Sequence, residues 1–421
     1  MTTTSSEAPP SMSQFFILWS GQAVSLLGSR LVQFALIWWL TQETGSATIL
    51  ALASMVGLLP QVILGPIIGA LVDRWNRRQI LLVADGTVAL ASLLLAILYF
   101  TGRVQVWHVF AMMFVRSIGG GFHGPAMIAS TSLMVPKEHL TRIQGLNQTL
   151  SGGLNILAAP LGAIFLEYLP MEGILGIDVI TASFAIAPLF FILIPQPESG
   201  RGDGESPSTL LEDVKLGFGY MLGWPSLMAI SMMAVLINML LTPAFSLLPI
   251  LITDHFGGDA LYLGGMQSAM GVGVVLGGMV LGAWGGFKRR ILTSMSGLLV
   301  LGLAVLAIGV MPSSLFAVAT GAIFTVGFTL PIVNGPIMAV MQVTVAPEMQ
   351  GRVFTLLQSM AGAMSPVGLA IAGPVADRVG VQTWYVAGGV VCFLMGLVGF
   401  FVPAISHIEK DQPIDSTAGK P

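Results

Sequence analysis

Apolar residues along this chain neither alternate nor recur as a helical stripe; they run almost unbroken for 20 residues or more between short polar segments. About 20 apolar residues in helical form cross a hydrocarbon core of about 30 Å. Twelve such stretches fall near 15–40, 49–72, 79–101, 104–134, 146–168, 174–195, 226–252, 261–286, 291–311, 314–345, 353–376 and 383–405. Ile291 to Pro347 carries no charged side chain, yet one helix of that length would measure about 85 Å. The run is therefore expected to cross twice, turning at Met311-Pro312-Ser313-Ser314. Continuous runs rather than short alternating segments exclude a β-barrel.

The longest internal polar stretch, Pro195 to Lys215, divides six passes from six. Leu216 to Trp224 reads equally as a short surface helix or as an early start of the seventh pass. The predicted organisation is an all-α membrane protein: a tail over 1–14, a six-helix half over 15–195, a linker over 196–215, a second six-helix half over 216–405, and a tail over 406–421.

Composition agrees with this pattern. Of the 421 residues 55% are hydrophobic and 9% charged, against about 25% charged in soluble proteins. A cytosolic enzyme, a disordered regulator and a nucleic-acid binder are excluded, and a net charge of −3 points to no polyanionic partner. The single cysteine, Cys392, permits no intrachain disulfide and no cysteine cluster. The first fourteen residues hold no Lys or Arg and lead to no small-residue cleavage site, so no cleaved signal is expected. Lys and Arg favour cytoplasmic loops. With the N-terminus inside, those loops hold Arg74, Arg77, Arg78, Lys137, Arg142, Lys288, Arg289, Arg290 and Arg352 among others, while the outer loops hold only Arg103 and Arg378. Both termini are thus expected in the cytoplasm.

The halves repeat. Gly124-Pro125-Ala126-Met127 recurs as Gly335-Pro336-Ile337-Met338, Pro136-Lys137-Glu138 as Pro347-Glu348, and Arg142 and Gln148 as Arg352 and Gln358, at offsets of 211 or 210. Passes four and five then correspond to ten and eleven. Parallel six-pass repeats describe alternating-access transporters. Gly69-Ala70-Leu71-Val72-Asp73-Arg74-Trp75-Asn76-Arg77-Arg78 resembles the signature G-x-L-A-D-R-x-G-R-K of the major facilitator superfamily, with Asn76 at the second Gly. The matching loop after pass eight keeps its basic end, Lys288-Arg289-Arg290, without the acid. Phrases such as WSGQAVSLLGS, GLLPQVILGPIIGALVDRWNRR and RSIGGGFHGPAM look like the macrolide-efflux branch of drug exporters. That resemblance implies proton-driven efflux of bulky amphiphilic antibiotics across the cell membrane. A monomer without a cofactor is expected. Its partners would be a lipophilic substrate, protons and the bilayer. Two alternatives stay open: a uniporter or symporter of another lipophilic metabolite, and a non-transporting membrane sensor. An enzyme is not expected, because neither a nucleophile elbow nor a Walker loop occurs.

Candidate residues follow from chemistry. Asp73, with Arg74, Arg77 and Arg78, is expected to form a latch against the helix end beginning near Arg352, whose N–H groups attract an anion. Charges inside passes cost about 2.5–3.5 kcal/mol at mid-helix. Arg30, Asp85, Arg116 and Asp178, with Glu167 near a pass end, are therefore candidates for proton coupling. Arg116-Ser117-Ile118-Gly119-Gly120 resembles the family's R-x-x-x-G motif, which implies proton coupling for Arg116. His123 reads either as a proton relay or as a neutral helix-to-helix hydrogen bond. No metal-ligating spacing occurs. Gln33, Phe34, Asn155, Asn238, Phe245, Phe328, Asn334 and Met338 are candidates for the wall of a substrate cavity. Gly65-x-x-x-Gly69, Gly273-x-x-x-Gly277 and Gly278-x-x-x-Gly282 are expected at close helix contacts.

Overall fold

The computed structural model describes residues 12–196, 210–406 and 408. Among these it contains helices and no strand. Twelve are long: α1 (Met12–Thr44), α2 (Ala47–Arg74), α3 (Arg77–Phe100), α4 (Val106–Met134), α5 (Leu140–Tyr168) and α6 (Met171–Phe191), then α8 (Pro225–Ser246), α10 (Ala260–Trp284), α11 (Arg290–Val310), α12 (Phe316–Thr344), α13 (Pro347–Val379) and α14 (Val381–Phe401). Shorter pieces are α7 (Leu210–Leu222), α9 (Leu248–Ile250) and α15 (Pro403–Ser406). Eleven of the helices in the described residues are long and apolar enough to span a bilayer. The remaining long helix, α4, carries Arg116 and His123, and packs along α3. Large apolar side chains cover the outside: Val83, Ile128 and Leu193 are each 68% exposed and Phe191 86%. Water would penalise such a surface, whereas hydrocarbon does not.

The segment read two ways in the sequence is a separate helix. Gly223 and Trp224 break α7 from α8, and Pro225, which lacks an N–H, occupies the first turn of α8 where no donor is needed. The predicted turn at Met311-Pro312 lies between α11 and α12. The internal repeat is also visible. Helices α4 and α12 each span 29 residues, and Pro125 and Pro336 occupy nearly matching positions within them.

The chain forms two compact units, Met1–Ile37 with Val56–Asp203, and Trp38–Met55 with Gly204–Pro421. In the first, a core of Phe15, Leu18, Leu81, Met134 and Leu189 joins α1, α3, α4 and α6. In the second, Leu227, Met295, Val340, Val353 and Ile405 join α8, α11, α12, α13 and α15. Glycines set the closest approaches. A Cβ on Gly277 would stand 2.0 Å from the Phe328 carbonyl oxygen, and one on Gly302 would stand 2.3 Å from the Phe393 nitrogen. Gly273 and Gly277 are thus the expected helix contact. A Cβ on Gly65, Gly69, Gly278 or Gly282 would meet nothing within 4 Å among the described residues, so these pairs do not form that contact there. Spacing alone places two small residues on one face without saying whether a neighbour covers that face.

Candidate functional site

The loop signature lies between α2 and α3. Asn76 caps α3, its side-chain oxygen accepting from the backbone N–H groups of Arg78 at 3.0 Å and Gln79 at 3.3 Å. Asn at the usual Gly position thus supplies a cap that Gly would lack. The Arg78 guanidinium donates to the carbonyls of Leu189 and Phe190 at the end of α6, where unpaired acceptors and the negative helix pole favour a cation. Arg77 is buried, and its Nε and Nη1 have no hydrogen-bond partner among the described residues. Arg74 is exposed and Arg352 is half-buried beside Met349. Asp73 falls at the end of α2, and its side chain lies outside the described residues.

Two buried polar clusters cross the first unit. In one, Asp178 on α6 is fully buried and gathers three other helices. Ser29 of α1 donates to its Oδ1 at 2.9 Å, Ser92 of α3 to Oδ2 at 2.6 Å, and Arg116 of α4 pairs with Oδ2 at 2.5 Å. Arg116 also donates to the Ser92 hydroxyl and, at 3.4 Å, to the Ser29 carbonyl. The two charges pair with each other, and each carboxylate oxygen accepts at least one hydrogen bond.

The second cluster holds Gln22 of α1, Asp85 of α3 and His123 of α4. Gln22 Nε2 donates to Asp85 Oδ2 at 2.8 Å, His123 Nε2 lies 2.7 Å from Gln22 Oε1, and the imidazole nitrogen stands 3.6 Å from Asp85 Oδ1. Gln22 is 2% exposed and Asp85 7%. Sequence reasoning singled out Asp85 and His123 separately, and nothing in it joined Gln22 to them. Residues 63 and 101 apart in the chain carry no signal that they meet.

In the second unit a cavity of about 370 Å³ is lined by Met233, Asn238 and Ile237 of α8, Met295 and Leu298 of α11, Asn334 and Met338 of α12, and Gln358 of α13. Asn238 and Asn334 each donate an amide N–H to the carbonyl one turn back, Ala234 at 2.9 Å and Leu330 at 3.1 Å. Their carbonyl oxygens and second N–H groups are not used by those bonds. Thus Asn238, Asn334 and Met338 come together, joined by Gln358, which the sequence offered only as a repeat marker. Other cavity candidates are placed elsewhere. Phe34 is buried with its ring against Gly162, Phe328 stacks on Phe324 at 6.2 Å between ring centroids, and Asn155 is exposed. Gln33 and Phe245 are half-buried; Arg30 and Glu167 are exposed. No group of three metal-ligating side chains forms among the described residues.

One acid went unnoticed in the sequence. Asp377, at the end of α13, accepts from the backbone N–H of Ala47 at 2.7 Å and of Thr48 at 3.0 Å, and from the Ser46 hydroxyl at 3.1 Å. It caps the first turn of α2, with its carboxylate at the positive helix pole. His255 bridges two segments of the second unit, one ring nitrogen meeting the Met311 carbonyl at 2.7 Å and the other Gln382 at 2.6 Å.

Twelve long helices, an internal repeat, ionic groups buried between apolar helices and an amide-lined cavity are the features of a membrane transporter. Residues 18–369 match the Major Facilitator Superfamily model, and the chain belongs to that family. It is similar over nearly its whole length to Macrolide efflux protein A of Streptococcus pyogenes, 32% identical over 397 residues that cover 94% of this chain and 97% of that one. It also resembles the Multidrug efflux pump Tap of Mycolicibacterium fortuitum, 26% identical over 395 residues, with 91% and 94% covered. Among solved structures it shares the fold of a bacterial homologue of the human lysosomal transporter Spinster, with a TM-score of 0.66 at 14% identity and coverage of 95% and 99%.

Proposed function

We propose that this protein exports amphiphilic drugs, macrolides among them, from the cell in exchange for protons, by alternating access of two six-helix halves, 15–195 and 216–405. The observation that carries the reading is the cavity of the second unit. Three amides, Asn238, Asn334 and Gln358, stand among methionines and aliphatic side chains. A large amphiphile needs such a wall: apolar area for affinity, and a few hydrogen-bonding groups to orient its hydroxyl and carbonyl oxygens. Methionine adapts to varied shapes. Similarity to a macrolide efflux protein along 94% of the chain supports this substrate class, and similarity to a multidrug pump supports breadth. Ionisable groups buried at membrane depth support coupling to protons, since their cost on insertion is otherwise uncompensated by function.

In this reading the protein works as a monomer in the plasma membrane with both termini in the cytoplasm, and Asp73 forms and releases the latch of the loop signature in each cycle. The experiment is accumulation of radiolabelled erythromycin in cells expressing the protein, with and without a protonophore, beside Asp73→Asn. Accumulation should fall with the wild type and return to that of empty cells on adding protonophore or with the variant. Accumulation equal to empty cells, with the protein present in the membrane, would discard macrolides. Efflux that persists with protonophore would discard proton drive in favour of facilitated transport.

A further inference from the structure

The two buried clusters of the first unit differ in charge, and that difference assigns the coupling proton. Arg116 and Asp178 form a closed pair: one positive and one negative charge, their hydrogen bonds completed by Ser29 and Ser92. A proton added there would break a neutral arrangement. Asp85 is different, because the basic group within reach of it is a histidine. With imidazole neutral, the Gln22–Asp85–His123 cluster carries a net charge of −1 inside the apolar helices. One proton makes it neutral.

The hydrogen bonds describe the cluster before that proton arrives. An ionised Asp85 only accepts, so Gln22 must turn its NH2 toward it and its carbonyl oxygen toward His123. The facing Nε2 must then carry the hydrogen, which leaves Nδ1 as the basic nitrogen of the ring. We propose that Asp85 and His123 together form the coupling-proton site, and that Gln22 transmits its state to α1. Protonation puts an N–H on Nδ1 or an O–H on Asp85. Once the acid is neutral it no longer dictates the amide orientation of Gln22, and the bridge from α1 to α3 and α4 loosens. Release of the proton to water on the other side restores the bridge. The charged groups on the surrounding elements are few. Arg116 lies two turns along α4, about 10 Å away, and is bound to Asp178 of α6; α1 contributes the exposed Arg30, and α2 no charge before Asp73. On α3 itself Arg77 and Arg78 lie about two turns before Asp85, roughly 10–12 Å along the axis, Arg78 being bound to the end of α6; Glu43 of α1 and Glu172 of α6 stand near the far ends of their helices. Among the described residues the ion-pair partner of Asp85 is His123, at 3.6 Å.

This assignment rests on the proton-exchange reading above, and two measurements separate their fates. The first needs no substrate. Proton uptake by the purified full chain in detergent is followed with an indicator dye across the histidine range. The wild type should bind one proton more than Asp85→Asn, and one more than His123→Gln. Equal uptake by wild type and both variants overturns the assignment. The second uses proteoliposomes loaded with radiolabelled erythromycin. Asp85→Asn, His123→Gln and Gln22→Leu should each lose transport driven by a pH gradient yet keep erythromycin counterflow, which a merely misfolded variant would lose too. Gln22→Leu should in addition keep the proton, as expected of a positioning residue. Gradient-driven transport at wild-type rate in Asp85→Asn and His123→Gln overturns the assignment while leaving the exporter reading intact. A wild type that shows counterflow but ignores the gradient overturns proton exchange itself, and the coupling role of the pair with it.

Discussion

Removing Asp178 tests how the first unit is held together. The carboxylate is fully buried and accepts from Ser29, Ser92 and Arg116, so four helices meet at one side chain. Asp178→Ala leaves the Arg116 guanidinium, 9% exposed, without its counter-charge. Breaking a buried pair from one side costs about 3–5 kcal/mol. At roughly 2 °C per kcal/mol for a unit of this size, the melting temperature should fall by about 6–10 °C. Replacing both partners with apolar groups of similar volume, as in Arg116→Met with Asp178→Leu, removes the stranded charge. The two serines can then donate to the carbonyl one turn back in their own helices. The double variant should therefore recover to within about 2 kcal/mol of the wild type, and replacement of whole ion pairs by apolar residues is often neutral. The assay is thermal unfolding of the purified protein in detergent, read by intrinsic fluorescence, for the wild type, both single variants and the double. A double variant that melts as low as Asp178→Ala, or an Asp178→Ala that melts with the wild type, would refute the reasoning.

Other outcomes follow from the same geometry. Asp377→Ala removes the acceptor for Ala47 and Thr48. An N-terminal cap is worth about 1 kcal/mol, so hydrogen exchange in a peptide spanning residues 46–50 should quicken about five-fold; unchanged exchange would deny the cap. Asn238→Leu and Asn334→Leu each take an amide from the cavity wall, and resistance to macrolides should drop by up to about ten-fold per lost hydrogen bond, while efflux of an apolar dye with no matching polar group holds; equal loss of both would point to a folding defect. Gly277→Ala drives a methyl into the Phe328 carbonyl and should destabilise by about 1–3 kcal/mol, whereas Gly278→Ala, facing open space, should raise or preserve the melting temperature.

The sequence by itself determined the class. Hydrophobic run length fixes the number of crossings because a bilayer has one thickness, and the charge-free stretch from Ile291 to Pro347 divides at the turn its length requires. The repeat and the loop signature were equally legible, since both are local strings. What stayed hidden was which polar side chains meet. Arg30, Asp85, Arg116, Asp178 and Glu167 stood in the sequence as candidates without partners, and only the packing of α1, α3, α4 and α6 closed Arg116 onto Asp178 and left Asp85 to Gln22 and His123. The same holds for Phe34, turned onto Gly162, and for Gln358, drawn into the cavity with Asn238 and Asn334. In a helix nearly uniform in hydrophobicity, as α2 and α6 are, no polar face tells one side from the other. Rotation about each axis is set by close packing of glycines and side chains against neighbours, a tertiary decision, and that rotation is what chooses the partners of every buried charge.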